Sequence, residues 1–131
     1  MPTTWSVLVK SELLGEAYLA DRDALYTANI EYEKSGNIEM TEQWFLEHAQ
    51  LFVKYGLTQE MIDQIVLDDR YFAPREGVRE FLDHLIREDI PLVIVTSGVS
   101  DFVTAWFLER YNYSPEIVFG NELIMDGGVV V

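Results

Sequence analysis

A run of branched apolar residues at positions 90–95 leads directly into Thr96, Ser97 and Gly98, and this junction limits the folds open to the chain. The run does not alternate with polar residues, which is typical of a parallel strand that is buried on both faces. Ser100 follows as a residue that can cap a helix. A buried strand that ends in small polar residues before a helix predicts an α/β fold with a doubly wound, Rossmann-like core.

Thr96, Ser97 and Gly98 are predicted to bind a phosphoryl group. The Thr96 hydroxyl and the N–H groups of Ser97 and Gly98 can converge beyond the carboxyl end of the strand. The positive end of the following helix would face the same point, and Gly98 would let the backbone approach a ligand closely. The alternative is that the tripeptide only turns the chain before Ser100 caps a helix, and the three residues alone leave both readings open.

Helices are predicted for most of the chain before this strand. Apolar residues at helical spacing indicate four helices, which begin near Asp21, Thr41, Thr58 and Pro74. Ser35-Gly36-Asn37 and Gly56 are predicted to end the first two of them. In the fourth helix, the predicted buried stripe consists of Val78, Phe81, Leu82, Leu85 and Ile86.

The chain after the turn predicts only part of a doubly wound core. Ile117–Phe119 is the next predicted strand, and Asp126-Gly127-Gly128 predicts the turn of a hairpin. We therefore expect a helical cap subdomain at residues 1–73 and a partial α/β core at residues 74–131. The core has few strands, so we expect a fragment, or a protomer that another segment completes. The apolar ends at residues 5–9 and 129–131 are predicted to pair with a second copy or with a complementing core segment.

Charge and composition limit the partners that this chain can have. The formal net charge of −14 excludes an extended phosphate backbone or an anionic membrane surface as its main partner. A small phosphorylated molecule is still allowed, because a local group of backbone N–H donors can outweigh the overall charge. The absence of cysteine excludes thiolate metal sites and a cysteine nucleophile. Its apolar runs are too short to span a bilayer, and we expect a cytoplasmic protein.

Residues 72–82 and the turn at 96–101 resemble the second motif of the haloacid dehalogenase-like (HAD) hydrolases, together with the helix that precedes it. Residues 117–123 and 126–128 are similar to the strand and hairpin that follow this motif, and the helices before residue 74 to the cap of one subclass. Pro2-Thr3-Thr4, the helix with Gln43-Trp44-Phe45 and the turn Gly98-Val99-Ser100-Asp101 resemble the pyrimidine 5′-nucleotidase branch. The resemblance covers nearly the whole chain.

The resemblance implies a phosphatase for phosphomonoesters, with nucleoside 5′-phosphates as candidate substrates. In such enzymes an Asp nucleophile from an Asp-x-Asp-x-Thr motif acts with Mg²⁺, a Lys and a later acidic motif. This sequence matches only the phosphate-binding motif at Thr96, Ser97 and Gly98, so no catalytic or metal-binding residue is carried over. We therefore expect Mg²⁺ in the complete enzyme, no metal held by this chain alone, and no hydrolysis by the isolated chain. The alternative is a non-catalytic binding or assembly module that oligomerises through exposed apolar strands.

Two pairs of aspartates have the spacing of family motifs that this sequence does not otherwise match. Asp21-Arg22-Asp23 has the spacing of a nucleophile motif, but Leu25 stands where Thr belongs, and the start of a helix explains the pair better. Asp68-Asp69 imitates a metal-binding pair, yet the apolar residues before it have helical spacing, which predicts the exposed end of a helix. Neither pair is assigned a catalytic role.

The cap helix that carries Gln43, Trp44 and Phe45 is a candidate for substrate binding. The aromatic side chains, with His48 one turn later, could stack on a nucleobase while Gln43 or Glu42 reads its polar edge. The resemblance implies an acid near this point, and Gln43 occupies its place. The alternative is that the aromatic residues form the inner face of an amphipathic helix. His48 and His84 have no partners at metal-ligand spacing, so we interpret both as structural or surface residues.

Overall fold

The computed structural model describes residues 3–36 and 38–131, and over these residues helices come first and strands later. The first five helices are α1 (Thr4–Lys10), α2 (Gly15–Ser35), α3 (Ile38–Lys54), α4 (Gln59–Ile65) and α5 (Asp69–Phe72). They are followed by α6 (Val78–Arg87), β1 (Val93–Val99), α7 (Ser100–Tyr111), β2 (Ile117–Asn121), β3 (Met125–Asp126) and β4 (Val129–Val130). No helix in the two described ranges is long and apolar enough to cross a membrane.

The start of α1 is set by reciprocal hydrogen bonds between Thr3 and Ser6. The Thr3 hydroxyl accepts from the Ser6 N–H at 3.1 Å, and the Ser6 hydroxyl accepts from the Thr3 N–H at 2.9 Å. This capping box makes Thr4 the first helical residue. Val7 and Leu8 are fully buried in the core. The prediction that residues 5–9 form an exposed end for strand pairing is therefore wrong, because their apolar side chains are already buried within this chain.

Helices α2 and α3 pack against each other, and both begin earlier than the sequence predicts. Helix α2 begins at Gly15 and not near Asp21, and its first turn places Tyr18 in the core with 2% exposure. Helix α3 already includes the position of Thr41, so the predicted cap there is wrong. The stop at residues 35–37 is confirmed at Gly36, which has the left-handed conformation, while Asn37 lies outside the described residues.

One hydrophobic core draws side chains from both parts of the chain. Its fully buried members are Val7, Leu8, Phe52, Leu57, Ile62, Val66, Val99 and Phe102. Helix α4 is held at its start as predicted, since the Thr58 hydroxyl accepts from the Met61 N–H at 3.2 Å. The cluster contains residues from both sides of position 73, so the segments before and after it share one core. The division into two subdomains at 73/74 stays a prediction.

Strands β1 and β2 form a two-stranded parallel sheet, as predicted for successive strands of a doubly wound core. The register pairs Val93 with Ile117 and Val95 with Phe119. Helix α7 packs against both strands. The prediction that β1 is buried on both faces is wrong, because Val95 is 81% exposed. An apolar run shows that a strand can be buried, whereas its actual burial depends on which elements lie on each face.

Helix α6 begins at Val78, so the predicted start at Pro74 is wrong. Gly77 precedes it with a φ of 85°, a conformation that favours glycine. The predicted buried stripe is only partly present. Leu82 and Leu85 are buried, but Phe81 and Ile86 are exposed.

The C-terminal hairpin is confirmed and packs against the cap segment. Gly127 and Gly128 both have positive φ, as a two-residue turn between β3 and β4 requires. The Gly128 carbonyl accepts from the Gln59 N–H at 2.8 Å, and the Val130 N–H donates to the Leu57 carbonyl at 3.0 Å. The backbone of residues 129–131 is paired within the chain with Asp126, Leu57 and Ile124, so the prediction of these residues as a free strand edge is wrong.

Candidate functional site

A cavity of about 360 Å³ lies at the carboxyl end of β1, where the predicted phosphate-binding residues are. Four segments of the chain line it: Thr3, Thr4 and Trp5; Tyr71, Phe72 and Ala73; Thr96, Ser97 and Gly98; and Phe102, Val103 and Trp106. The Trp106 indole N–H donates to the Phe72 carbonyl at 2.8 Å, which fixes α7 to the end of α5. The cavity therefore brings together the start of the chain, the end of the cap segment and the predicted phosphate-binding turn.

Thr96, Ser97 and Gly98 belong to β1, which continues through them to Val99 with an irregular register after Val95. The prediction that they end the strand is therefore wrong, and the turn is the irregular last part of β1, Thr96–Val99. The Gly98 N–H donates to the Thr96 hydroxyl at 3.0 Å, so these two predicted phosphate ligands contact each other directly. Their role in phosphate binding stays a prediction.

Ser100 is the first residue of α7 and does not cap it, because Val99 holds the N-cap position. The Ser100 hydroxyl donates to the Asn121 carbonyl at 3.3 Å. The Asn121 side-chain amide in turn donates to the carbonyls of Ser97 at 3.0 Å and Gly98 at 3.4 Å. The end of β2 thus fixes the carbonyl side of the turn.

Two glycines allow the close packing around Thr96. A Cβ atom at Gly98 would lie 2.5 Å from the Thr4 hydroxyl oxygen, and one at Gly120 would lie 2.7 Å from Thr96 Cγ2. Both distances are shorter than real side chains allow, so any larger residue would displace a neighbour. Gly98 is thus required by the approach of Thr4, a contact that its place in the sequence does not reveal.

Thr4 and Trp5 line the cavity, although the sequence did not indicate either of them as a site residue. The Thr4 hydroxyl accepts from the Val99 N–H at 2.9 Å, across a separation of 95 residues. The involvement of Thr4 could be anticipated in part, because Thr3 and Thr4 lie in a segment that resembles the nucleotidase branch. A segment far away in sequence, however, does not indicate which backbone amide it will contact.

The predicted substrate residues of the cap form an aromatic cluster around Trp5. The Trp5 ring lies 5.4 Å from Phe45, 6.5 Å from Trp44 and 5.6 Å from Phe52, measured between ring centroids. Trp44 and His48 are closer still, at 4.1 Å. Trp44 and Phe45 do not line the cavity themselves; they are joined to it through Trp5.

Gln43 is exposed and contacts its own helix. Its side-chain amide donates to a carboxylate oxygen of Glu47 at 3.1 Å, and the other Glu47 oxygen accepts from Asn29 at 3.2 Å. Glu47 therefore joins Gln43 to Asn29 of α2, a contact that the sequence did not indicate. It lies one turn after Gln43, on the same side of α3.

His48 is buried within the aromatic cluster as a structural residue. Its Nδ1 lies 2.8 Å from the Trp44 carbonyl, which can only accept, so Nδ1 carries the proton. Burial lowers the pKa of His48 from its usual value, with the hydrogen bond to Trp44 opposing this shift. Among the described residues, Nε2 of His48 and Nε1 of Trp5 are buried without a hydrogen-bond partner. Buried polar atoms of this kind are rare and call for an explanation.

Asp21 is bound in a structural contact between α2 and α3. Its carboxylate accepts from Lys54 and Tyr55, both at 2.6 Å, and these two bonds hold the pKa of Asp21 below its usual value. It lies in the second turn of α2, so the explanation of the pair as a helix start is wrong, although its helical location is confirmed.

Asp68 and Asp69 begin helix α5, so the prediction that they end a helix is wrong. The Asp68 carboxylate accepts from the Arg70 N–H at 2.9 Å, and Asp69 accepts from Arg110, also at 2.9 Å. Over residues 3–36 and 38–131, no three His, Asp or Glu side chains gather in a group that could hold a metal ion. The described residues therefore do not form the Mg²⁺ site that the resemblance implies.

Comparisons with known proteins place the chain among nucleotidases of the HAD fold. The family model described as pyrimidine 5′-nucleotidase (UMPH-1) matches residues 1–130. The crystal structure of cytosolic 5′-nucleotidase IIIB bound to cytidine matches with a TM-score of 0.73 and 23% identity, covering 99% of this chain and 45% of the other. No curated protein sequence matches. The chain thus spans less than half of that solved structure, and the predicted α/β fold with a partial HAD core is confirmed.

Proposed function

This chain belongs to the pyrimidine 5′-nucleotidase family, and we propose from this that the protein it represents, in whole or in part, hydrolyses nucleoside 5′-monophosphates. The observation that carries the proposal is the cavity of about 360 Å³ that Thr96, Ser97 and Gly98 share with Trp5. A phosphoryl group at the turn would leave the nucleoside directed toward the cap. The related solved structure contains cytidine, which fits a pyrimidine nucleotide as the substrate class. That enzyme is described as cytosolic, and we propose the same compartment here.

In this proposal the turn binds the phosphoryl group and the cap binds the base. The Thr96 hydroxyl and the Ser97 amide are donors of the kind that stabilise phosphate oxygens near the start of α7, and the Gly98 amide would exchange its bond to the Thr96 hydroxyl for one to phosphate. Trp44 and Phe45 extend the aromatic surface from Trp5, and Gln43 with Glu47 supplies polar groups at its edge. Trp5 lines the cavity, and its unpaired indole Nε1 is a further donor close to the proposed base-binding surface.

We propose that hydrolysis needs groups beyond those described. An Asp nucleophile, a Lys and the ligands of Mg²⁺ are expected in the complete enzyme, whereas the most nucleophile-like carboxylate here, Asp21, is bound to Lys54 and Tyr55. This chain would then bind and orient the substrate, and chemistry would need a complementing core segment. The division into a cap at residues 1–73 and a partial core at residues 74–131 is part of the same proposal.

The first test is a phosphate-release assay on the purified chain, combined with titration by NMR. With CMP and Mg²⁺ we expect no release above buffer, and shifts in the amide signals of Ser97 and Gly98 as CMP binds. Thr96→Val should weaken CMP binding about tenfold, the effect of one hydrogen bond to a charged group. Thr104→Val, an exposed threonine on α7, is the matched control and should leave binding unchanged. Turnover that disappears in Asp21→Asn, or equal affinity in Thr96→Val, would contradict the proposal.

A second candidate function is assembly through the exposed face of the β1–β2 sheet. Val93 and Val95 pair in register with Ile117 and Phe119, and these four side chains are 49%, 81%, 45% and 55% exposed. Four large apolar side chains together on one sheet face are typical of a surface that another chain covers. The occupant we propose is a second copy of this chain, bound face to face.

Light scattering with size-exclusion chromatography tests this candidate. We expect a mass of twice 15.1 kDa, with more dimer at high salt because each copy carries a charge of −14 that salt screens. Phe119→Glu should yield monomers, whereas Leu46→Glu, at an exposed position of α3, should not. A monomer at every salt concentration would reject this function and leave the nucleotidase proposal intact.

A further inference from the structure

The turn at Thr96–Val99 is held from two sides by side chains from distant segments. On the carbonyl side, Asn121 at the end of β2 donates to Ser97 and Gly98. On the amide side, Thr4 at the start of α1 accepts from the Val99 N–H at 2.9 Å. The peptide between Gly98 and Val99 is therefore fixed at both its oxygen and its nitrogen.

Thr4 itself is held in place by its neighbours in sequence. The capping box between Thr3 and Ser6 sets the first turn of α1. Trp5, the next residue, packs in the aromatic cluster of the cap, with its ring 5.6 Å from Phe52. The Thr4 side chain also approaches the turn closely, since a Cβ at Gly98 would lie 2.5 Å from its hydroxyl oxygen and 3.3 Å from its methyl carbon.

We propose that Thr4 is a positioning residue of the phosphoryl site, whose hydroxyl fixes the Gly98–Val99 peptide and links the turn to the cap through Trp5. The inference rests on the proposed function, because the turn is the phosphate-binding element there. A turn with a fixed backbone loses less conformational entropy when a phosphoryl group binds. Because Trp5 follows Thr4 directly, the binding of a base in the cap and the binding of a phosphoryl group at the turn both depend on the position of the start of α1.

Two substitutions distinguish the effect of the Thr4 hydroxyl from the effect of its branched side-chain shape. Thr4→Val keeps the branched side chain but removes the acceptor for Val99, whereas Thr4→Ser keeps the hydroxyl. In Thr4→Val the hydrogen exchange of the Val99 amide should be about tenfold faster than in wild type, as for one lost hydrogen bond, and in Thr4→Ser it should stay near the wild-type rate. Both variants are compared with wild type by urea unfolding, so that a general loss of structure is detected.

The same variants are then titrated with CMP and with inorganic phosphate. Thr4→Val should bind both ligands about tenfold more weakly, and Thr4→Ser should bind within about twofold of wild type. Rescue by serine is the signature of positioning, because a role in packing alone would be served better by valine. Unchanged Val99 exchange, or equal affinity for CMP in Thr4→Val and wild type, would overturn the inference and leave the proposed function standing. A wild-type chain that binds neither CMP nor phosphate would overturn both.

Discussion

Replacing Phe52 with alanine should lower the free energy of unfolding by about 3–5 kcal/mol, the usual loss when a fully buried aromatic side chain is removed. Phe52 has no exposed surface, and its ring lies against Trp5 at 5.6 Å and Tyr18 at 6.4 Å. The cavity left behind would lie between α1, α2 and α3, where these three rings meet. Urea unfolding followed by far-UV circular dichroism measures the loss directly.

Val53→Ala is the matched control, since Val53 follows Phe52 on the same helix and is 46% exposed. Its loss should stay within about 0.5 kcal/mol, as for surface positions in general. The contrast tests the orientation of α3, which also places Trp44, Phe45 and His48. Equal losses in both variants would mean that α3 presents a different face to the core, and the aromatic cluster of the cap would need to be rebuilt.

Gly98→Ala should lower the free energy of unfolding by about 1–3 kcal/mol, because its Cβ has no room beside Thr4. The new atom would lie 2.5 Å from the Thr4 hydroxyl oxygen, while its next neighbour outside Thr4, the Thr96 hydroxyl oxygen, is at 3.4 Å. In a Thr4→Ala background the first contact is removed and the second is close to normal. The substitution at Gly98 should then have a much smaller effect, with a coupling of at least about 1 kcal/mol between the two sites.

Gly120→Ala is the control for this double-mutant cycle. A Cβ at Gly120 would lie 2.7 Å from Thr96 Cγ2 and 3.1 Å from Ser100 Cβ, so a comparable loss is expected. Thr4 is not among its three nearest contacts, so Thr4→Ala should give no rescue. Additive losses for Thr4 and Gly98 would mean that α1 does not lie over the turn, which would also remove the basis for a positioning role of Thr4.

Local features of the fold could be predicted because neighbouring residues determine them. Thr58 caps α4, Gly36 ends α2, and Gly127-Gly128 forms the hairpin turn, all as the sequence indicated. Each depends on hydrogen bonds or backbone angles within a few residues. The errors at Pro74 and Thr41 are also local, because a residue that can start a helix does not exclude an earlier or later start at a neighbouring position.

The polar contacts of the predicted site residues depend on a choice between competing partners. The role of Gln43 in reading a base edge stays a prediction, and its amide is bound to Glu47 one turn later in the same helix. Asp101, in the segment that resembles the nucleotidase branch, accepts from the Leu123 N–H at 2.9 Å, and burial raises its pKa. A sequence indicates which groups can form hydrogen bonds, whereas the choice among competing partners depends on distances that only packing creates.

The succession of an apolar strand, the small polar residues Thr96, Ser97 and Gly98 and a following helix could be predicted from the sequence alone, since these parts are consecutive in the chain. The tertiary structure decided what surrounds this turn. It placed Thr4 on the Val99 amide, Asn121 on the carbonyls and helix α7 against the sheet, while it left Val95 exposed. The physical reason is that strand formation and capping depend on neighbouring residues, whereas burial and long-range hydrogen bonds depend on how all the elements pack together.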